Sequence, residues 1–272
     1  MLEQIARVAP PIPVRSLRGR EQADALRLAR PCYDHLAGRV GVALTDALVD
    51  RDALRVEGSD VAPPPPASPR ARAIHLHPRD AEGRERLDAE VIDAVVVQVR
   101  NACGLPVGVS TGAWIEPGFA RRLALAQPWR APDYASVNLS EPGATEVMRA
   151  LIRAGVGIEA GVWTVEDAER LAASGLGGQV TRILVEPVAV SPADAIGLVD
   201  GIHRALDRLG LTAPRLQHGD GEATWVLLAD TLRRGLDTRI GLEDTLHEPD
   251  GARTTGNAAL VRAARALGAG ID

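Results

Sequence analysis

From residue 74 onward, the sequence repeats one structural unit, a short apolar strand that ends in polar residues and is followed by an amphipathic helix. The predicted strands are residues 73–77, 106–111, 134–139, 157–162, 182–187, 215–218 and 238–243. The predicted helices are residues 87–102, 118–125, 144–154, 164–173, 192–209, 222–234 and 257–267. Regular alternation of strands and helices predicts a parallel sheet with helices outside it.

An eighth predicted strand, residues 40–45, lies upstream of these seven units. Eight strands that alternate with helices favour an α/β fold of the (β/α)8 type, the TIM barrel. An open, doubly wound sheet is the alternative. No G-x-G-x-x-G motif follows any of the strands, which weakens a dinucleotide-binding version of that sheet. Thr164 with Asp167, and Ser191 with Asp194, are predicted N-terminal caps of two helices.

The first 70 residues differ in character from the rest of the chain. Residues 1–38 are predicted to be an N-terminal extension with a helix around residues 20–30, and residues 39–272 to form the barrel. The first barrel helix is expected within residues 47–72. That segment contains Val61-Ala62-Pro63-Pro64-Pro65-Pro66-Ala67, and a run of prolines is incompatible with a helix. We therefore expect an irregular first unit at residues 47–72.

His75 and His77 are the strongest candidates for metal ligands. They lie at the end of the predicted strand 73–77, and side chains at positions i and i+2 of a strand share one face. Neutral imidazole nitrogens suit Zn²⁺ and the neighbouring divalent transition metals. Two core histidines, each with a backbone partner, would produce the same pattern.

The remaining metal ligand is expected to be a carboxylate. Cys32 and Cys103 are far apart in the sequence and form no ligand spacing. Glu243 is the best candidate, because it closes another strand-like run, Arg239-Ile240-Gly241-Leu242-Glu243-Asp244. Alternate strands of a barrel contribute side chains to the same interior layers, so the two histidines and Glu243 are predicted to converge. Three protein ligands with an open fourth position are the arrangement of a catalytic zinc site.

The composition excludes several classes of function. All 31 basic residues other than histidine are arginine. The absence of lysine excludes a Schiff-base lysine, the usual anchor of pyridoxal phosphate, and a P-loop lysine. With a net charge of −5 and no basic patch, nucleic acid and anionic membranes are not expected partners.

The sequence also predicts a location in the cell. It contains no apolar run long enough to cross a bilayer, and its N-terminus lacks the apolar segment of a signal peptide. The two cysteines show no pairing pattern, which fits a reducing cytoplasm.

Polar residues collect at the predicted carboxyl ends of the strands, where barrels of this type carry their catalytic groups. These residues are His75, His77, Ser110, Thr111, Ser136, Asn138, Ser140, Glu159, Glu186, His218, Arg239, Glu243 and Asp244. Any single one could serve as a structural hydrogen-bonding group. Their position at every strand end predicts an active site.

Taken in order, these motifs resemble those of the β-keto acid cleavage enzyme family, whose members are zinc-dependent (β/α)8 proteins. The matching stretches are His75-Leu76-His77-Pro78-Arg79-Asp80, Ser110-Thr111-Gly112-Ala113, Ser136-Val137-Asn138-Leu139-Ser140-Glu141, Gly157-Ile158-Glu159-Ala160-Gly161, Leu216-Gln217-His218-Gly219 and Arg239-Ile240-Gly241-Leu242-Glu243-Asp244-Thr245. The resemblance extends from residue 73 to the C-terminus, about three quarters of the chain.

The resemblance implies a reaction in which a β-keto acid and acetyl-CoA condense to give acetoacetate and a new acyl-CoA. Zn²⁺, or another divalent transition metal, would be held by His75, His77 and Glu243 and would act as a Lewis acid on the keto acid. Asp244 would be the general base. Arg239 would orient it and stabilise the developing charge.

Substrate contacts are implied for residues at the matching positions on the other strands. These are Ser110, Thr111, Asn138, Glu159 and His218. The resemblance further implies that the partners are the small-molecule β-keto acid and acetyl-CoA, and that the protein is a homo-oligomer.

The sequence departs from the family pattern at the end of the predicted strand 40–45. Thr45-Asp46-Ala47-Leu48 stands where the family usually has Asn-Gly-Ala or Thr-Gly-Ala, often followed by a glutamate that meets the amino or polar tail of the substrate. Because Leu48 replaces that glutamate, we expect a neutral or apolar β-keto acid. Two alternatives remain open: a metal-dependent hydrolase on the same barrel, and a degenerate relative without catalytic activity.

Overall fold

The computed structural model of the chain describes residues 55–57, 60–62, 71–80 and 83–269. A two-stranded antiparallel sheet comes first and consists of β1 (Arg55–Glu57) and β2 (Asp60–Ala62). This short hairpin falls within the segment 47–72, for which the sequence predicts an irregular first unit. The predicted strand 40–45, the predicted helix around residues 20–30 and the substituted position Leu48 lie outside the described residues.

A parallel sheet of six strands follows, in the part of the chain that the structure describes. Its strands are β3 (Ile74–Leu76), β4 (Val107–Ser110), β5 (Tyr134–Asn138), β6 (Gly157–Val162), β7 (Arg182–Val185) and β8 (Arg215–Gln217). Each strand pairs with the next one in the sequence, and the sheet curls into a half-barrel. The prediction of a TIM-barrel type of α/β fold is confirmed.

Helices alternate with these strands as the sequence predicts. They are α1 (Ala89–Cys103), α2 (Phe119–Ala126), α3 (Ala144–Ala154), α4 (Val165–Ala173), α5 (Pro192–Arg208), α6 (Thr224–Arg234) and α7 (Asn257–Ala266), with a short 3-10 helix, Gly221–Ala223, before α6. Both predicted N-terminal caps are confirmed. The Thr164 hydroxyl accepts a hydrogen bond from the Asp167 amide, and the Ser191 hydroxyl accepts one from the Asp194 amide. None of the helices in the described residues is long and apolar enough to cross a membrane.

The core lies between the sheet and its helices and is built mainly from valine, leucine, isoleucine and alanine. All residues of β4 and β5 are buried. Each buried Val, Leu or Ile side chain stabilises the fold by roughly 1.5–3 kcal/mol. The largest core residue is Trp129, which is fully buried and donates a hydrogen bond to the Leu87 carbonyl over 2.9 Å. This packing makes the sheet a rigid support for the side chains at its carboxyl edge.

Gly108 of β4 permits a close approach between neighbouring strands. A Cβ atom at this position would lie 2.1 Å from the ring of Tyr134. The Tyr134 ring therefore passes over β4, and its hydroxyl donates a hydrogen bond to the Ile74 carbonyl of β3 over 2.9 Å. This contact ties β5 to the strand that carries His75.

The prediction of a strand at residues 238–243 is wrong. Asp237 forms a single parallel bridge with Leu216, and the chain then enters a turn. The backbone amide of Gly241 donates to the Asp244 carboxylate over 2.7 Å, and that of Leu242 to the Asn257 side chain over 2.8 Å. Because side chains take up these amides, the amides are not available for a sheet ladder.

Candidate metal centre and active site

Three predicted ligands converge at the carboxyl edge of the sheet. His75 lies within β3 and His77 directly follows it, and their ring centroids are 5.2 Å apart. Glu243 comes from the turn after β8, where its Oε2 lies 3.0 Å from His77 Nε2. One candidate ligand atom from each of these residues lies within 4.8 Å of the other two. A pair of imidazoles and a carboxylate at this spacing fit a divalent transition metal with an open coordination position.

The protonation states of the two histidines differ. Burial, and then the positive charge of Arg239, hold the pKa of His75 well below its ordinary value, so this imidazole is neutral and available as a ligand. Burial also lowers the pKa of His77, but hydrogen bonds to Glu243 and Glu85 outweigh it and raise that pKa to about 9. Without metal, His77 therefore carries a proton at neutral pH, between the carboxylates of Glu85 and Glu243.

Glu85 and Trp114 border the centre, and neither position was predicted from the sequence. One Glu85 oxygen lies 3.5 Å from His77 Nδ1 and accepts a hydrogen bond from the Trp114 indole over 2.8 Å. Its other oxygen pairs with Arg79 over 2.7 Å. The Trp114 ring stacks on the His77 ring, with centroids 6.0 Å apart. A carboxylate that holds the far nitrogen of a ligating histidine fixes the orientation of the ring and raises its basicity.

Arg239 connects the metal centre to the carboxylates of neighbouring strands. Its guanidinium lies 3.2 Å from Glu243, 3.6 Å from Glu159 and 3.6 Å from Glu186. Burial lowers the pKa of Arg239, but the surrounding carboxylates outweigh this and raise the pKa further above its usual range. Arg239 therefore remains charged and holds the carboxylates of three segments in place.

Glu159 is fully buried on β6. Its Oε1 accepts a hydrogen bond from the Ser136 hydroxyl over 2.5 Å, and its Oε2 pairs with Arg182. The Arg182 guanidinium in turn lies over the Tyr134 ring, 4.6 Å from its centroid. Ser136 also lies 3.3 Å from His75 Nδ1, so the Glu159 carboxylate is connected to a proposed metal ligand through one hydroxyl.

A second cluster lies beside the first. His218 Nδ1 is 3.1 Å from Asp244 Oδ1, and His218 Nε2 is 3.2 Å from Glu186 Oε1. Burial and Arg239 lower the pKa of His218, but Glu186 and Asp244 outweigh them and raise it to about 10. Burial raises the pKa of Asp244. Burial alone would raise the pKa of Glu186 as well, but the charge of His218 lowers it below the ordinary value.

Comparison with known proteins places the chain in a family. The model of the β-keto acid cleavage enzyme family matches residues 71–272. The chain belongs to this family. Its matched region covers the whole six-stranded sheet and every residue of the site described above.

Solved structures with the same fold include two of ObcA. The complex of ObcA with oxaloacetate has a TM-score of 0.54 and 14% sequence identity, and the match covers 83% of this chain and 62% of ObcA. The ternary complex of ObcA with a C4-CoA adduct and oxalate has a TM-score of 0.58 and 16% identity, with 85% of this chain and 65% of ObcA covered. The chain described here, as a member of the β-keto acid cleavage enzyme family, therefore spans less than two thirds of the length of ObcA.

A curated protein matches a much shorter stretch. The HTH-type transcriptional regulator YdfF of Bacillus subtilis (strain 168), described as uncharacterized, is 42% identical over 55 residues. The match covers 20% of this chain and 24% of the regulator. It is too short to assign the chain to that class of protein.

The other predicted substrate residues also lie at the carboxyl edge. Ser110 and Thr111 are buried at the end of β4, where the Thr111 hydroxyl donates to the Ser136 carbonyl over 2.8 Å. Asn138 closes β5, and its amide donates to Glu141 over 2.9 Å. The structure thus brings these three residues to the ends of their strands. Glu159, by contrast, is the third of the six residues of β6 and pairs with the first residue of β7. Their roles toward substrate remain predictions.

Proposed function

We propose that the protein is a divalent-metal-dependent β-keto acid cleavage enzyme, with Zn²⁺ as the preferred metal. It condenses a β-keto acid with acetyl-CoA and gives acetoacetate and a new acyl-CoA. Family membership supports this class of reaction, and structures of the same fold hold oxaloacetate and a CoA adduct. The observation that carries the proposal is the convergence of His75, His77 and Glu243 beside Arg239 and Asp244.

The donor set supports a metal. His75, His77 and Glu243 supply two nitrogens and one oxygen, a set suited to Zn²⁺ and its neighbours. When bound, the metal supplies Lewis acidity toward the carbonyl and carboxylate of the keto acid. The remaining steps belong to the side chains of the protein.

The charges of the site favour an anionic substrate. The acidic and basic side chains at its centre are four carboxyl groups and two guanidinium groups, Glu159, Glu186, Glu243, Asp244, Arg182 and Arg239. Protonated His218 adds one positive charge, and a divalent cation in place of the His77 proton adds two. Five positive charges then face at most four negative ones, and the bordering pair of Arg79 and Glu85 adds one charge of each sign. The carboxylate of a β-keto acid neutralises the excess.

Asp244 is the general base in this proposal. It accepts the proton from the carbon between the keto group and the carboxylate of the substrate, which is the most acidic C–H of a β-keto acid. Arg239 lies among Glu159, Glu186 and Glu243 and stabilises the negative charge that develops on the substrate oxygens. Ser110, Thr111, Asn138 and Glu159 position the substrate.

The proposed reaction can be tested with labelled acetyl-CoA. In the condensation, the acetyl group joins the two-carbon carboxymethyl part of the keto acid, and the remaining acyl group is transferred to the CoA sulfur. With acetyl-CoA labelled by ¹³C in both acetyl carbons, we expect doubly labelled acetoacetate and an unlabelled new acyl-CoA by mass spectrometry. A hydrolase would release products without transferring the label.

The preferred substrate can be tested with a panel of keto acids that carry cationic, neutral and apolar tails. We expect kcat/KM to be higher for the neutral and apolar keto acids than for the cationic ones.

Metal binding should release protons. Because the pKa of His77 is about 9 without metal, metal binding displaces its proton at any lower pH. His75 is already neutral and contributes no proton. The affinity for Zn²⁺ should therefore rise about tenfold per pH unit between about pH 7 and 8.5, with about one proton released per ion. Calorimetric titration with Zn²⁺ in two buffers of different ionisation enthalpy measures this number.

Glu85→Gln provides the matched control for the proton release. The amide removes one of the two carboxylates that raise the pKa of His77, so fewer protons should be released at pH 8 than in the wild type. Release of no proton by the wild type at pH 7 would contradict the assignment of His77 as a ligand.

A further inference from the structure

His218 occupies a position behind the proposed general base. Glu186 directly follows β7, His218 directly follows β8, and Asp244 lies in the turn after residue 241. The His218 amide donates to the Val185 carbonyl over 3.2 Å, which fixes the backbone of the histidine to the end of the neighbouring strand. Its side chain is only 1% exposed. Three consecutive segments of the barrel thus bring one imidazole between two carboxylates.

The two ring nitrogens face different carboxylates. Nδ1 lies 3.1 Å from Asp244, and Nε2 lies 3.2 Å from Glu186. A metal ion shared by these residues would use a single ring nitrogen. The division of the two nitrogens between two carboxylates indicates instead a ring that faces one carboxylate at each nitrogen, within ion-pair distance of both but without the alignment of a hydrogen bond. Water does not compete for these contacts, because the ring is buried.

Asp244 is held at both of its oxygens. Oδ1 faces His218, and Oδ2 accepts the Gly241 amide over 2.7 Å. The Gly241 contact is local to the turn, whereas the His218 contact ties the carboxylate to β8. Without His218, the Asp244 carboxylate keeps only the hydrogen bond from the Gly241 amide among these two contacts, and its other oxygen is free to move.

We propose that His218 is a positioning residue for Asp244, and that Glu186 holds the far nitrogen of the ring so that it keeps its orientation. Both nitrogens of His218 are then committed to carboxylates, so the residue acts on Asp244 and not directly on the substrate. The expected effect of His218 on kcat rests on the proposed function. Its expected effect on the position of the Asp244 side chain does not.

Two substitutions separate the two contacts of the ring. The amide of His218→Asn can occupy the place of Nδ1 and keep a donor toward Asp244, whereas the longer His218→Gln extends toward the place of Nε2 and Glu186. Displacement of a catalytic group by about 1 Å can cost roughly 100-fold in rate. We therefore expect kcat to fall by about 10- to 100-fold in His218→Gln, with KM within about threefold of the wild type. His218→Asn should retain more of kcat than His218→Gln.

A double-mutant comparison distinguishes positioning from a general structural role. If His218 acts through Asp244, then His218→Gln should change kcat by less than about threefold in an Asp244→Asn background, although it has a large effect in the wild type. Equal effects of His218→Gln in both backgrounds would overturn the proposal. So would equal losses in His218→Asn and His218→Gln.

A crystal structure of Zn²⁺-loaded His218→Gln tests the geometry independently of activity. We expect the Asp244 side chain to rotate away from its position in the wild type while Glu243, His75 and His77 stay in place. An unchanged Asp244 carboxylate would overturn the proposal. So would a second Zn²⁺ that the wild type binds and this variant does not, because His218 would then be a metal ligand. If the wild type turns over no β-keto acid, the proposed function fails, and the crystal structure still decides whether His218 positions Asp244.

Discussion

His75→Ala is expected to remove tight binding of a divalent metal and, with it, turnover. His75 is the neutral imidazole of the centre, and it is fixed within β3 by the parallel pairing with β4. Groups that only orient a ligand typically change metal affinity by about 10- to 100-fold, so loss of a ligand should cost more than about 100-fold. Metal content after dialysis, and competition with a chromogenic chelator, measure the effect.

His247→Ala is the matched control for this substitution. His247 is exposed, lies after the turn that carries Glu243, and makes its contact to Trp225 through its backbone carbonyl. The variant should bind Zn²⁺ as the wild type does. A His75→Ala protein that retains one Zn²⁺ per chain with unchanged affinity would show that the centre is not built around this histidine.

The histidine pair could be predicted from the sequence because its geometry is local. Side chains two residues apart on a strand share a face whatever the rest of the fold does. His75 and His77 follow this rule, and the apolar run around them identifies the strand. The alternation of strands and helices is likewise encoded in short segments, which explains why the bounds of β6 and α3 agree with the prediction.

The position of Glu243 was predicted for a partly wrong reason. The apolar run before it indicates a strand, whereas the structure has a turn in which Asp244 and Asn257 take up the backbone amides of Gly241 and Leu242. These contacts depend on tertiary placement of side chains, which composition does not reveal. The Glu243 carboxylate still reaches His77, because Asp237 keeps the segment beside β8 through its bridge to Leu216.

Glu85 and Trp114 could not be predicted, because loops carry no periodicity. Glu85 lies in a charged stretch that reads as an ordinary solvated surface. The loop folds back because the Arg86 amide donates to the Pro78 carbonyl over 2.9 Å, and this returns Glu85 to His77. Trp114 is 55% exposed, so the usual expectation that tryptophan packs in the core fails for it.

Asp244→Asn is expected to retain metal and to lose turnover. Asp244 adjoins the proposed ligand Glu243, but its oxygens face His218 and the Gly241 amide. It groups with Glu186 and His218, so its charge is not part of the donor set of His75, His77 and Glu243. A general base typically contributes 10²–10⁴-fold to the rate, and kcat should fall by about that factor. Zinc content per chain should stay at the wild-type value.

The amide of Asp244→Asn can be accommodated without unfolding the protein. The Gly241 N–H cannot lose its proton, so the side-chain oxygen should face it and the NH₂ group should face His218. Loss of the Asp244 charge lowers the pKa of His218 from about 10, so its Nδ1 can lose its proton and accept a hydrogen bond from the new amide. Thermal unfolding of the variant should therefore differ little from the wild type, and Asp250→Asn, an exposed carboxylate outside the site, serves as the matched control. Near wild-type kcat in Asp244→Asn would remove Asp244 from the role of base, and loss of zinc would instead place it among the metal ligands.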